Sequence, residues 1–386
     1  MADMQHLIKI GQGVDEWNRW RKMHPEVVPD LDEAKLNGAT LNNADLSHAH
    51  LRKAKLEGAS LNHANLWGAD LREANLSAAK LRESTLSEAD LREAKLEDTD
   101  LNYADLHHAK LSETDLSRAK LDKADLRDTD LRHATLTKAV LSEALLSYTN
   151  LSQATLSEVL LDYAKLSRAN LSLADLRNAD LSYVDMNNAD LSRADLSGAN
   201  LSKAALNNAC LIQAKLQEAD LSGIDLSYAN LNNADLNNAE LSGAVLSRAK
   251  LISAQLKMAN LIAADLSYTN LSGADLGKAD LSEAKLTMAR LSGANLRETK
   301  LRRAHLYKAD LSEAELNEAD LSRADLRHAD LSRADLSQAN LSWARLTGAN
   351  LEYANLLGCD TFGISIKQAN LKNAIYRGHL GGFNFL

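Results

Sequence analysis

A chain of 386 residues with 53 acidic and 44 basic side chains carries a net charge of −9, mild for its length, so its composition dictates neither a basic stripe for polyanions nor a sustained acidic surface. Two cysteines, two prolines and no apolar run near twenty residues exclude a disulfide framework and a membrane-spanning helix. No secretory apolar segment follows Met1, and the expected compartment is the cytoplasm.

Residues 1–28 do not repeat. Residues 4–10 form a short apolar-rich stretch, broken by Gly11 and Gly13. Residues 14–21 read as a helix with Val14, Trp17 and the stem of Arg21 on one side. From Leu31 to Leu356 a leucine then stands at every fifth position, with Met186 the single exception. Two residues before it stands a small residue, usually alanine, and the intervening residue is commonly Asp, Asn or Lys, as in Ala44-Asp45-Leu46-Ser47-His48 and Ala194-Asp195-Leu196-Ser197-Gly198.

A period of five excludes a continuous α-helix, because leucines stepping by roughly 140° would wander around the circumference. It excludes a straight strand as well, since five is odd and alternate leucines would face water. The chain must turn a corner once per pentad, with Ala and Leu pointing to a common axis and the edges stacking as parallel ladders. Ser and Gly after the leucine suit the corner, as in Ser222-Gly223, whereas proline would remove a ladder donor, and Pro25 and Pro29 lie before the array. Larger residues at the small inner position (Val159, Val184, Ile224, Cys359) read as packing variants. Such coils gain stability from their neighbours, and a first coil exposes its leucines and an unpaired edge. Val14, Trp17 and Trp20 are the candidate end cap.

The pentads resemble the pentapeptide-repeat family over about nine-tenths of the chain, and Val14-x-x-Trp17-Asn18-x-Trp20-Arg21 is similar to the lead-in of long bacterial members. The resemblance implies an all-β fold, a right-handed quadrilateral parallel β-helix with four pentads per coil, here behind a short helical N-terminal cap. Recurrences such as Thr129 with Thr149 and Tyr163 with Tyr183 support the twenty-residue coil. The expected organisation is a cap over 1–28, one elongated β-helix over 29–376 and an apolar tail over 377–386, where Phe383, Phe385 and Leu386 either fold over the last coil or meet a second copy.

Nothing in the sequence points to catalysis, a cofactor or a metal. His48, His50 and His63 lie near one end without convergent spacing, Asp and Glu recur at what reads as a corner position suited to turn hydrogen bonding, and no phosphate-binding loop or nucleophile grouping is present. Cys359 takes an inward position and Cys210 a corner. The expected function is a non-enzymatic scaffold for protein–protein contacts with an unidentified protein partner and a homodimer through one end. The alternative is the DNA-mimicking, gyrase-binding role of some family members, which mixed charges such as Lys120-Asp122-Lys123 and Lys300-Arg302-Arg303 disfavour. Direct nucleic-acid binding is not expected, because the outward aromatics do not read as interleaved with Arg or Lys. Candidate contact residues are Val140 and Leu160 in one column with Leu145 an edge away, Tyr163 with Tyr183, Tyr228 with Tyr268, and Ile212, Ile252, Met258 and Ile262 as a further group.

Overall fold

The computed structural model describes residues 1–376, so Phe383, Phe385 and Leu386 lie outside the described residues. Contacts divide the chain into two units, Met1–Asp195 and Leu196–Leu386. The first begins with two helices, α1 (Met4–Gly11) and α2 (Val14–Met23). The apolar stretch at 4–10 is therefore helical: Asp3 caps it by accepting from the Gln5 N–H at 2.7 Å, and Leu7 and Ile10 fall three apart on one face. Gly13, at φ 106°, makes the break that lets α2 turn back.

The rest of the first unit is a stack of coils bridged in parallel at a separation of twenty residues, from Asp30↔His50 to Asp175↔Asp195. The second unit has the same register, from Asn200↔Asp220 to Asn355↔Ile375. Each coil thus holds four pentads, each contributing one bridging residue. Its Ala and Leu are buried, and the other three side chains reach the surface.

Five backbone N–H groups per pentad explain the consensus. In the pentad around Leu51, the leucine donates to Asp70 O (2.7 Å) and Lys53 to Arg72 O (2.9 Å), while Lys55 donates back to Ala34 O (2.8 Å). Ala54 donates to Leu51 O (3.0 Å), closing a four-residue turn whose third residue has positive φ, the geometry of a type II turn. Non-glycine residues occupy most of these corners, among them Glu33 (62°), Tyr163 (59°) and Trp343 (61°). The left-handed conformation costs roughly 1–2 kcal/mol per residue, offset by the inter-coil bond that the same residue donates.

The fifth N–H, on the residue after leucine, is met by the Asp or Asn just before the leucine: Ser117 N donates to Asp115 Oδ1 at 2.9 Å and Ser222 N to Asp220 Oδ1 at 2.9 Å. The Asp/Asn position is thus the bridging position and not the corner, with its carboxylate reaching round to the corner amide. At several pentads whose bridging residue is Lys, His, Ser or Gln, an Asn or Asp one coil earlier takes over. Asn62 accepts from Arg82 N beside Lys80, Asn102 from Asp122 N beside Lys120, and Asn232 from Ile252 N beside Lys250. Where Asp335 already serves Ser337, Asn317 one coil before has a buried Oδ1 with no partner.

Polar residues at the small inner position keep the core satisfied. Thr99, Thr149 and Thr269 donate to the carbonyls of Leu76, Leu126 and Leu246 at 2.7–2.9 Å, while Val159, Val184, Met186 and Ile224 are accommodated fully buried. Asn102→Ala, which strips the acceptor from Asp122 N–H, is expected to lower stability in urea unfolding by about 1 kcal/mol. Asn317→Ala should lower it by less than about half as much; equal losses would show that these asparagines act by packing alone.

Candidate interaction surfaces

At the first coil the bridging amides have no coil beneath them, and α1 and α2 supply what a preceding coil would. Asn65 N donates to Ala44 O, but Asp45 N donates to Asn18 Oδ1 (2.8 Å) and Asp30 N to His6 Nδ1 (3.0 Å). Asn18 Nδ2 donates in turn to Asn43 O (2.9 Å). Trp17 is fully buried and its indole N–H donates to Asp45 O at 2.8 Å. Arg21, also buried, donates to Val27 O (2.8 Å) and Ser47 O (3.0 Å), with Nε 3.6 Å from the Asp45 carboxylate. Val14 and Trp20 are half-buried, the Trp20 ring lying 5.2 Å from that of Trp17 and 5.1 Å from that of His6. His6, Asn18 and the Arg21 head group are the residues that sequence reasoning missed. Their signal is that Trp17, Asn18 and Arg21 share one helix face.

On the sides of the first unit, Val140 bridges Leu160, whose side chain is 42% exposed, and Leu145 lies across the next corner, 37% exposed. That corner carries Tyr163 and Tyr183, whose rings stack at 4.8 Å and 7°. The twenty-residue register makes these five residues neighbours around one corner. It does not do so for Ile212, Ile252, Met258 and Ile262. Ile212 and Ile252 share a column with Asn232 between them, Met258 is on the next corner, and Ile262, half a coil from Ile252, is on the diagonal one. Ile252 instead shares a surface concavity with Tyr268 and Met288. The same register interleaves aromatics with arginine after all: Arg248 lies 5.7 Å from the Tyr228 ring and 5.3 Å from that of Tyr268, and Arg168 lies 5.5 Å from that of Tyr148.

The family model for pentapeptide repeats matches the sequence in overlapping segments from residue 30 to residue 360. The chain belongs to the pentapeptide-repeat family. Among solved structures it is similar to HetL, a pentapeptide-repeat protein involved in heterocyst differentiation regulation from the cyanobacterium Nostoc sp. strain PCC 7120, with 38% identity over 64% of this chain and 89% of that one (TM-score 0.28). It is similar also to the pentapeptide-repeat protein Rfr23 from the cyanobacterium Cyanothece 51142, with 32% identity over 28% of this chain and 88% of that one (TM-score 0.27). QnrB1, a plasmid-mediated fluoroquinolone resistance protein, is 21% identical over 53% of this chain and 86% of that one (TM-score 0.28). A comparison with curated proteins finds no significant match.

Pentapeptide-repeat proteins fold as right-handed quadrilateral β-helices, and in this member the three outward positions carry a locally neutralised surface. Lys120 bridges Asp100, Lys285 bridges Asp265 and Lys300 bridges Asp280, the last with Nζ 3.3 Å from the carboxylate. In Asp-Leu-Arg pentads the arginine forks onto the aspartate two residues before it: Arg72 on Asp70, Arg132 on Asp130 and Arg177 on Asp175, each with contacts of 2.6–2.8 Å. His48 packs edge-on against Trp67 at 4.4 Å and His63 Nδ1 lies 3.5 Å from Glu83, separating the two histidines by partner. Cys210 occupies a bridging position opposite Asn230 and not a corner, because the corner begins one residue after the leucine. The Cys359 thiol donates to Leu336 O at 3.0 Å, and burial pushes its pKa up to about 11. Among the described residues no helix is long and apolar enough to cross a membrane.

Hydrogen bonds from Arg72, Arg132 and Arg177 hold the carboxyls of Asp70, Asp130 and Asp175 below the usual carboxylate range, against a smaller upward push from burial. Their contribution is present above the unfolded carboxylate pKa and is lost as pH falls through the lower folded values. Replacing all three arginines by Gln is therefore expected to move the acid-unfolding midpoint to higher pH while changing stability at pH 7 only slightly, since exposed pairs contribute roughly 0–1 kcal/mol. An unshifted acid midpoint in a circular-dichroism titration would show that the forks are ornamental.

Proposed function

We propose that this protein is a non-enzymatic scaffold, acting in the bacterial cytoplasm, that holds protein partners against the sides of its coils. On this reading Val14, Trp17 and Trp20, with Asn18 and Arg21, cap the first coil and keep it from pairing edge to edge. Val140, Leu145, Leu160, Tyr163 and Tyr183 form a partner contact. The observation that carries the proposal is Val140 bridging Leu160 beside the stacked tyrosines. At bridging positions where Asp and Asn dominate, Val140 and Leu160 place apolar side chains at the surface, and the corner amide after Val140 is met instead by Asp122 one coil before; apolar surface that the ladder does not need favours a partner. Family membership supports the non-enzymatic reading, since pentapeptide-repeat proteins are generally structural or regulatory. Imitation of duplex DNA would require an acidic column, and Lys120, Lys285 and Lys300 interrupt the columns that hold Asp100, Asp265 and Asp280.

The double substitution Val140→Asn and Leu160→Asn installs a consensus residue at both positions, so the stack should melt no lower than the parent. A partner isolated from the native host and reconstituted from purified components is expected to bind this variant at least about tenfold more weakly. Undiminished binding would clear the patch of a contact role.

A further inference from the structure

One edge of the second unit departs from the charge pattern of the rest. Over five successive coils, at residues 207–213, 227–233, 247–253, 267–273 and 287–293, it carries no Asp or Glu, in a chain with 53 acids; Asp310 and Glu313 end the run in the next coil. Three cations stand on it, Arg248, Lys250 and Arg290, none with an ion-pair contact within 4 Å among the described residues, and only Arg290, in the last of the five coils, has an acid next to it in its column, the bridging Asp310. By contrast, Lys285 on an adjoining edge faces Asp265, and Lys300 on the opposite edge faces Asp280.

The cations are set among apolar and aromatic side chains. Arg248 is held between the rings of Tyr228 and Tyr268. Ile252 (38% exposed), Tyr268 (52%) and Met288 (40%) line with the three cations a surface concavity of about 590 Å³. The corner amide beside Lys250 is met without a carboxylate. Lys250 stands where Asp or Asn would serve the next corner amide, and Asn232, one coil before, accepts the Ile252 N–H at 2.9 Å in its place.

We propose that this edge docks an acidic protein segment that also carries apolar or aromatic side chains, its carboxylates meeting Arg248, Lys250 and Arg290 and its apolar groups meeting Ile252 and Met288. Charge complementarity selects the partner: three cations without an ion-pair contact, on an edge that lacks acids over five coils, attract anions, and exposed Ile and Met beside them add affinity only for a partner with apolar groups. Lys250 and Arg290 stand two coils apart, roughly 10 Å, which matches acidic residues about three apart in an extended segment. A nucleic acid fits less well, because the Arg248 guanidinium already occupies the facing sides of Tyr228 and Tyr268, where bases would stack. The inference rests on the scaffold reading but uses a different face from the Val140–Leu160 patch, so each can fail alone.

Fluorescence anisotropy with the full-length chain tests it, using three labelled probes: a random glutamate–tyrosine copolymer, polyglutamate and a single-stranded oligothymidine. The copolymer is expected to bind more tightly than polyglutamate, with an affinity that falls as salt rises. Arg248→Gln/Lys250→Gln/Arg290→Gln should weaken the copolymer about tenfold or more. Lys257→Gln/Arg323→Gln/Arg333→Gln, which removes the same charge elsewhere on the second unit, should weaken it less than about twofold. Ile252→Asn/Met288→Gln should reduce the copolymer's advantage over polyglutamate. Equal losses in the two charge variants, no binding by the parent chain, or oligothymidine binding more tightly than the copolymer with the same sensitivity to Arg248, Lys250 and Arg290 would each overturn the proposal.

Discussion

Hydrogen bonding between coils twenty residues apart governs what every position in this protein can be. A bridge of one residue per pentad has no stability of its own, so each corner must return the chain to register within two residues, and it does so with a left-handed residue whose N–H joins the ladder. The corner thereby tolerates Tyr, Arg, Glu and Trp where isolated turns would demand glycine. Burial of Ala and Leu supplies the driving force, and the ladder fixes which residues meet.

From this follows a division of labour among the three outward positions. The bridging residue is the fold's first choice for satisfying the corner amide, which is why Asp and Asn dominate there. When an Asn one coil earlier assumes that task, as Asn62 does for Arg82 and Asn232 for Ile252, the bridging residue is released to be Lys. The polar consensus is therefore a hydrogen-bonding rule with a built-in substitute, and surface chemistry can vary without unsettling the stack. Val140 draws on the same substitute, Asp122 one coil before accepting from Ser142, and what sets Val140 and Leu160 apart from Lys80 or Lys120 is the apolar side chain that each presents.

The period of leucines, the inward Ala and Leu and the one corner per pentad were legible because each depends only on residues five apart. What depends on residues twenty apart was harder to read. Ile252 and Ile262 look close along the chain yet face diagonal corners, while Tyr228, Arg248 and Tyr268, well separated in sequence, form one column. A few recurrences hinted at the coil of four pentads, and the interleaving became visible only once that register was applied throughout. At the N-terminus Trp17 drew attention by its bulk, but the acceptors for the open ladder come from Asn18 and His6, and α1, a helix of eight residues, carries too short an apolar pattern to be told from a loop.

Charge obeys the same geometry. Like charges one coil apart repel by about 0.9 kcal/mol even in bulk water, so a column of carboxylates accumulates a penalty with every coil added. The ladders answer with Lys beside Asp, Asn beside Asp, or an arginine forked onto the aspartate of its own pentad. Each solution is local and leaves little net field. Arg248 and Lys250 stand outside all of them, with no acid beside them in their columns, and Arg248 is steadied by the faces of Tyr228 and Tyr268 instead. In a chain with 53 acids, the edge that carries none over five coils is where selection by something other than folding is most readily read.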